Sequence, residues 1–560
     1  MCIHYRQGLE VYITALALVL CCSPALAALG FDGPRLLNTD DIDDFDSNRS
    51  PTLATDGLGN WVAVWQLRYR VRGVPDPELF VSRSTDVGAT WSTEALLNPD
   101  GDDDAGVDSK VQIGADATGT FVIVWESDKD LGGTGSDSDI HFCRSIDSGA
   151  TWSSPAALNT NAAADTGFDH APQIATDGSG NWTAVWHSYE DLNGAGTDAD
   201  IFISYSSDGG ATWSAPDLLN RNGTTDKKND LNPSIATDGA GRWICVWVSN
   251  ENVGGSGSDQ DILCSSLTRG GTAKEIWTLP AVVNSNATSD TANDRTLQIA
   301  TDRDGTWIAV WVSNDDALGF GGDADVFHAR LTGGDSQWSD MAPLNSTAAV
   351  DSGDDLNPHI AADSAGHWVA VWSSNEPYLG SNSDPDIFCA RSTDAGATWG
   401  NAGLLNSNSI SGGRPDQEPK IATDDLGNWL TVWDSEEIGV SPSIYDSPDI
   451  HVSTSNDLDL TDNFFVIVVP DGGEEWKAGK KRTIEWISAN SGVPAVKLDL
   501  YRNSAFVRTI VESTPDDGEY NWTIPNDLTS GNGYRLRVLS TIDSNVFDES
   551  DAPFKIKHAK

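Results

Sequence analysis

The chain has 560 residues, with 34 Lys and Arg against 84 Asp and Glu, so 34 − 84 leaves a formal net charge of −50. That balance excludes a nucleic-acid binder, which needs a basic face to neutralise phosphates, and it excludes docking on anionic lipid. A hydrophobic content of 39% with 22 Trp is ample for a large core, which excludes a disordered chain.

The first feature along the chain is a secretion address. Arg6 precedes an apolar run from Val11 to Leu20, and Ala25-Leu26-Ala27 offers the small residues that a signal peptidase requires. About ten apolar residues are too few to span a bilayer, and no later run is long enough. Residues 1–27 therefore read as a signal peptide, and the protein as secreted to the extracellular space or the periplasm. Of the four cysteines beyond it, Cys245 and Cys264 flank one expected hairpin and can pair across it. Four buried thiols, counting Cys143 and Cys389, is the equal alternative.

The body of the chain is one unit written seven times. Ile-Ala-Thr-Asp, or a close variant, ends at Asp56, Asp116, Asp177, Asp238, Asp302, Asp363 and Asp424. The spacing runs from 116 − 56 = 60 to 302 − 238 = 64 residues, too long for a helical solenoid unit and right for a four-stranded propeller blade. In each unit the first strand is predicted to end in that string. The second carries Trp at i and i+4, as in Trp182/Trp186 and Trp243/Trp247, which puts both rings on one face. The third starts at an acid–Ile step such as Asp200-Ile201, and the fourth runs from a Trp to a Leu-Asn pair, as Trp213 to Asn220. Six units finish at such an Asn: Asn98, Asn159, Asn220, Asn284, Asn345 and Asn406. The seventh runs out near Ser455, whereas an orphan Arg35-Leu36-Leu37-Asn38 precedes the first. That orphan is expected to supply the missing outer strand and close the ring, leaving no bare edge. The fold class expected is all-β: a seven-bladed propeller over residues 30–455 closed by an N-terminal strand, then a small β-sandwich over 463–557.

Three sets of carboxylates repeat with the blades. Six residues past the terminal Asn stand Asp44, Asp104, Asp165, Asp226, Asp290 and Asp351, with Gly412 the exception. Ten residues past it stand Asp108, Asp169, Asp230, Asp294, Asp355 and Asp416, with Asn48 the exception. The second–third loops add Asp137 and Asp139, Asp198 and Asp200, Asp259 and Asp261, Asp323 and Asp325, Asp384 and Asp386. In an up-and-down meander all three sets project to one end of the propeller. Clustered carboxylates repel unless neutralised, and Ca2+, which takes six to eight oxygen ligands, is the expected cation outside the cell. The alternative is that these residues cap tight turns, with the surplus charge serving solubility. The histidines are too scattered to suggest zinc.

Between the third and fourth strands lies Ser-x-Asp-x-Gly-x-Thr-Trp, at Ser84–Trp91, Ser145–Trp152, Ser206–Trp213 and Ser392–Trp399. It resembles the Asp-box of the sialidase (neuraminidase) superfamily, and four copies in register imply that architecture rather than a reaction. The same resemblance implies candidate catalytic residues. Arg49-Ser50-Pro51 resembles the motif that places the first arginine of the family's carboxylate-binding triad. Arg68 and Asp76 resemble its loop arginine and its acid/base aspartate, and Arg295 shares the column of Arg49. An arginine fork suits a planar carboxylate. The departures are that these sialidases have six blades, and that their Tyr–Glu nucleophile pair stands here at no recognised motif; Tyr378 near Glu376 and Tyr445 near Glu436 and Glu437 are in loops of the right kind.

Beyond Ser455 the repeat stops. Pro470-Asp471-Gly472-Gly473-Glu474-Glu475-Trp476, Ile484-Glu485-Trp486 and Gly518-Glu519-Tyr520-Asn521-Trp522 resemble an immunoglobulin-like module known from fungal Ser/Thr-rich anchored cell-wall proteins and from many secreted bacterial proteins. It implies spacing, attachment or glycan contact, or a stabilising sandwich without ligand. Two functions follow. One is a secreted propeller that binds a glycan or cell-surface glycoconjugate, with Ca2+. The other is an exo-α-sialidase or related glycoside hydrolase using the arginine cluster and an Asp acid/base.

Overall fold

The computed structural model describes residues 31, 34–38, 47–71, 74–97, 106–268, 276–315, 322–333, 337–345, 348, 352–376, 384–400, 402–406, 415–436, 448–455, 464–470, 473–489, 495–503, 505–515, 518–541, 547–550 and 553–558. The signal-peptide reading falls on residues 1–27, outside that set.

Seven four-stranded antiparallel sheets follow one another along the chain. Blade 3 is representative, with Asp169–Thr176, Trp182–Ser188, Asp200–Ser206 and the two-residue outer strand Asp217–Leu218. The fourth strand is thus much shorter than the expected Trp213–Asn220 run. Blade 7 consists of Asp416–Thr423, Trp429–Ser435 and Asp449–Ser455, and its outer strand is Arg35–Leu36, with Arg35 opposite Val452 and Leu36 opposite His451. The orphan segment closes the ring as its sequence implied.

The ring is held by faces, not edges. In each second strand, alternate side chains point to opposite neighbours. Trp182, Ala184 and Trp186 pack on Val122, Val124 and Ile140 of blade 2. Val185, from the same strand, packs with Trp243, Cys245 and Trp247 of blade 4. One such cluster fills every blade interface, including the one that joins Leu430, Val432 and Ile450 of blade 7 to Leu53, Trp61 and Trp65 of blade 1. Leu37 of the closing segment lies in that last cluster, 2% exposed.

The turn after the third strand also serves the interface. In blade 3 Asp208 accepts from Thr212 N and Thr212 Oγ1 at 3.0 and 2.6 Å, and Ser206 Oγ accepts from Gly210 N at 3.0 Å. Gly210 has φ of 77°, and a Cβ there would lie 2.6 Å from Val122 of blade 2, so both its conformation and its neighbour demand glycine. Trp213 then packs edge-on against Phe142 at 6.0 Å.

The four cysteines among the described residues, Cys143, Cys245, Cys264 and Cys389, are free thiols. Cys245 stands opposite Ser265 and Cys264 opposite Val246, so the two sulfurs leave opposite faces of the sheet and cannot pair. Residues 464–557 form a three-stranded and a larger sheet around Trp476, Trp486, Leu498, Trp522, Leu536 and Phe554. The tail is therefore a β-sandwich.

Because Leu37 sits at a chain end yet fills a closed interface, Leu37→Ala is expected to destabilise the propeller by about 2–4 kcal/mol. Denaturant unfolding checks this; a change below about 0.5 kcal/mol would mean that the closing segment is not docked.

Candidate functional site

The inter-blade connections and the second–third loops meet at one end of the propeller, and the geometry there is built by the terminal Asn residues of the described blade ends. Asn220 is fully buried; its Oδ1 accepts from Ile201 N at 3.0 Å, while its Nδ2 donates to Asp200 and Asp230, both at 2.7 Å. Asn159 repeats this with Ile140 N, Asp139 and Asp169 at 3.1, 2.7 and 2.8 Å. In blade 7 the latch comes from Asn38, which accepts from Ile450 N at 2.9 Å and donates to Asp449 at 2.8 Å. The Asn therefore ties its own third strand to the start of the next blade.

That latch separates the carboxylate columns. The aspartates ten residues past the Asn start the inner strands and are buried acceptors: Asp108 accepts from Trp125 Nε1 at 3.0 Å, Asn345 donates to Asp355 at 2.8 Å, and Asn406 donates to Asp416. Asp294 is buried in the same column but does not accept from its Asn, since Asn284 donates to Asp261 and Asn286 instead. The other two columns converge. Asp137, Asp139 and Asp165 of blade 2 offer oxygens within 4.8 Å of one another, as do Asp198, Asp200 and Asp226 of blade 3, and Asp259, Asp261 and Asp290 of blade 4. In all nine residues one carboxylate oxygen is buried without a hydrogen-bond partner. Asp139, Asp200 and Asp261 are at most 1% exposed. Three oxygens at this separation, of hard carboxylate type, are what a divalent cation of the Ca2+ class coordinates. In blades 5 and 6, Asp323, Asp325, Asp384 and Asp386 occupy the equivalent loop positions; Asp351, like Asp44 and Asp104, lies outside the described residues.

Burial pushes these carboxyls up, and neighbouring carboxylates add to it. Asp139 rises to about 7 and Asp200 to about 8, with Asp165, Asp226, Asp261 and Asp290 each at about 6. Unneutralised, Asp200 holds a proton at neutral pH and Asp139 is about half protonated, while the groups near 6 are mostly ionised.

The sialidase-like candidates are placed differently. Arg49 begins the inner strand of blade 1, and its guanidinium lies 3.8 Å from Asp434 and 3.5 Å from Glu436. Two carboxylates of blade 7 thus hold it. Arg295 occupies the same position in blade 5, opposite Val312. The backbones of Arg68 and Asp76 lie opposite Pro77 and Tyr69 in the hairpin Trp61–Val71/Val74–Ser84. With 11 residues per strand against seven in most blades, this hairpin projects beyond the others. The Arg68 and Asp76 side chains, and Tyr378 and Tyr445, lie outside the described residues.

The Arg-x-Pro motif also has a local cause. Every inner strand has a register shift just after its first residues, and the residue there takes positive φ: Ser50, Lys110, Ala171, Asn232, Thr296, Asn357 and Glu418, between 50° and 54°. Five of the seven are followed by proline, at Pro51, Pro172, Pro233, Pro358 and Pro419. Proline lacks the N–H that a bulge leaves unpaired, so it suits the position. Arg49-Ser50-Pro51 is one copy of a bulge built seven times around the axis.

Two groups at this mouth escaped the sequence reading. Asp434 is buried beside Arg49, and burial together with Glu418 lifts its carboxyl well above the ordinary range against the pull of Arg49. Burial lowers the Lys420 amine, which lies within electrostatic reach of Glu418 and Lys110. The second group is aromatic. Phe168, 51% exposed, stacks on His170 with centroids 6.0 Å apart and planes 3° from parallel. Tyr189 meets both His170 and His187 edge-on, at 6.4 and 6.1 Å. Glu126 holds His170 Nδ1 at 3.4 Å and accepts from Ala171 N and Ser109 Oγ. Burial alone would raise Glu126, but these hydrogen bonds hold it below the usual range. No column signalled the cluster, because the residues stand at positions that carry other types in every other blade.

The opposite mouth is chemically quiet. A cavity of about 200 Å3 there is lined by Asp56, Asp116, Asp177 and Asp424, but each closes its own turn. Asp177, for example, accepts from Ser179 N, Asn181 N and Asn181 Nδ2 at 2.8, 3.2 and 2.7 Å.

In chelator, a pH dependence follows from the raised carboxyls. A folded pKa above the unfolded value of 3.8 means that the native state holds protons the unfolded chain releases, so this stabilisation is lost as pH rises towards 8. His141, His187 and His328, lowered to about 4 by burial, carry the opposite sign below 6.5. Melting temperature in chelator is therefore expected to fall between pH 6.5 and 8, and added Ca2+ to abolish the fall. A flat profile in chelator would contradict the burial of these groups.

Comparison with known proteins gives a family match for the C-terminal part and low-similarity structures for the propeller. Residues 469–556 match the Kre9/KNH-like N-terminal Ig-like domain family. No curated protein matches. The leech intramolecular trans-sialidase is similar in structure over 75% of this chain and 70% of its own, at 13% identity and a TM-score of 0.38. An intramolecular trans-sialidase from Ruminococcus gnavus aligns over 77% of this chain and 98% of its own (12% identity, TM-score 0.38). An alpha-L-arabinanase from Penicillium chrysogenum aligns over 78% and 99% (12%, 0.36). By the order of its own sheets the chain is an all-β, seven-bladed propeller, followed by a β-sandwich that matches the immunoglobulin-like family, and among its described residues no helix is long and apolar enough to cross a membrane.

Proposed function

We propose that the protein is a secreted propeller that binds a glycan or cell-surface glycoconjugate without cleaving it, and that Ca2+ fills its acidic clusters. The observation that carries the glycan reading is the ledge of Phe168, His170 and Tyr189. A sugar ring presents C–H groups on its faces and hydroxyls at its edge. An exposed aromatic stack flanked by a carboxylate matches both. The surrounding face is acidic, which favours a neutral sugar over a uronic or sialic acid. Arg49 supports the same side, since its fork is engaged by Asp434 and Glu436 rather than open to a ligand carboxylate. For the clusters, Ca2+ is favoured over zinc by an all-carboxylate donor set.

The hydrolase alternative keeps Arg49, Arg68, Asp76 and Arg295 as its machinery. Affinity electrophoresis in gels containing dextran, xylan, galactomannan or polygalacturonate separates the readings, alongside a fluorogenic sialoside. The expected result is retardation by a neutral polysaccharide, none by polygalacturonate, and no fluorophore release. Phe168→Ala is expected to weaken retention roughly tenfold, the size of one lost stacking contact, with unchanged melting. Release of fluorophore that disappears in Arg49→Ala would establish the sialidase instead.

A further inference from the structure

The three converging triads share a feature that sets them apart from scattered surface acid. In each, two carboxylates belong to the second–third loop of one blade, and the third belongs to the connection that enters the next blade. In blade 2 these are Asp137 and Asp139 against Asp165. The connection itself is slight. From Asn159 to Asp165 it is a single turn, with Ala162 N on Asn159 O at 3.0 Å and Asp165 N on Asn161 O at 3.2 Å. The side chain of Asn161 donates to Asp165 Oδ2, which leaves Asp165 Oδ1 buried and without a partner. Facing it, Asp137 Oδ2 and Asp139 Oδ2 are likewise buried and without partners. Three carboxylate oxygens turned towards each other, none with a protein donor, form a cradle that a divalent cation fits.

We propose that blades 2, 3 and 4 each bind one Ca2+ that staples the second–third loop to the following connection, and that the blade 2 ion positions the glycan ledge. This rests on the calcium reading above and adds the place, the ligands and the consequence. The link to the ledge is short. Phe168 follows Asp165 by three residues, and the intervening Gly167 runs so close to the next blade that a Cβ would lie 2.5 Å from Glu190 N. Beyond it Tyr189 N donates to Phe168 O at 3.2 Å, and Asp169 N donates to Ser138 O at 2.8 Å. The connection therefore enters the ledge pinned at its far end, while its near end has the cation as its anchor. In blades 3 and 4 the residues matching Phe168 are Asn229 and Asn293, whose Oδ1 atoms accept from Ala199 N and Gln260 N. Those two ions fix connections and carry no ledge.

The test uses Ca2+ alone as the probe. Asp137→Asn, Asp198→Asn and Asp259→Asn each remove one ligand without touching the Asn latch. Calorimetric titration of full-length chelated protein with CaCl2 is expected to lose one equivalent in each variant. Hydrogen exchange read by mass spectrometry is expected to show Ca2+-dependent protection of residues 160–169, 221–230 and 285–294. Asp137→Asn should abolish it in the first segment alone, Asp198→Asn in the second and Asp259→Asn in the third. Ca2+ binding with unchanged stoichiometry in all three variants, or protection of 160–169 that survives Asp137→Asn, overturns the staple while leaving the calcium reading intact. No Ca2+ binding by the wild type overturns both, and leaves the glycan reading to its own assay.

Discussion

Everything in the propeller depends on a two-sided second strand. Trp182 and Trp186 face back onto blade 2 while Val185 faces forward onto blade 4, so each blade is at once cover and core for its neighbours. A sheet twisted in this way cannot bury both faces alone. It becomes stable only when a neighbour lies on either side, which forces the chain either to continue or to close. Closure comes from Arg35–Leu36, and the same segment delivers Leu37 to the last interface and Asn38 to the last latch. Four consecutive residues thus complete the sheet, the core and the polar network of blade 7.

The polar network follows from that packing. Once the blades are pressed face to face, the strand starts at the connection end are dry, and their polar groups must find partners. The terminal Asn does this in blades 2 and 3, because an amide can accept from a backbone N–H and donate twice to carboxylates. The consequence is a division of labour among aspartates that look alike in sequence. Those ten residues past the Asn become structural acceptors, as Asp108 and Asp230 are. Those six residues past it converge on the Asp-x-Asp loop instead, and it is this convergence, not spare oxygens as such, that sets them apart.

Most of the fold was legible because it repeats. The period, the paired Trp, the acid–Ile start of the third strand and the orphan strand all have a direct physical meaning, and the structure follows them. Two readings did not transfer. The pairing of Cys245 with Cys264 failed on register, since a shift of one residue turns the sulfurs to opposite faces. The extended fourth strand shrank to two residues, because only Asp217 and Leu218 meet the third strand before the chain turns into the Asn latch. For the site, columns showed where carboxylates gather but not which of them the Asn would claim. Nor could columns reveal the ledge, since Phe168, His170 and Tyr189 matter by differing from their counterparts.

That contrast bears on how a repeated scaffold acquires function. Features common to the blades, including the positive-φ bulge and its proline, answer constraints that every blade shares. Arg49-Ser50-Pro51 sits at such a bulge, so its likeness to a catalytic motif is explained by geometry that recurs at Gln417-Glu418-Pro419 and His170-Ala171-Pro172. Specific chemistry has to come from what breaks the symmetry. Here the breaks include an aromatic stack between blades 2 and 3 and a mixed-charge group where Arg49 meets Asp434 and Glu436, both at the end that carries the repeated carboxylates. In a chain of net charge −50 buried anions need counter-charge, and at Asp434 it comes from Arg49. The ring supplies rigidity uniformly, and the asymmetry of its acidic end decides what it can hold.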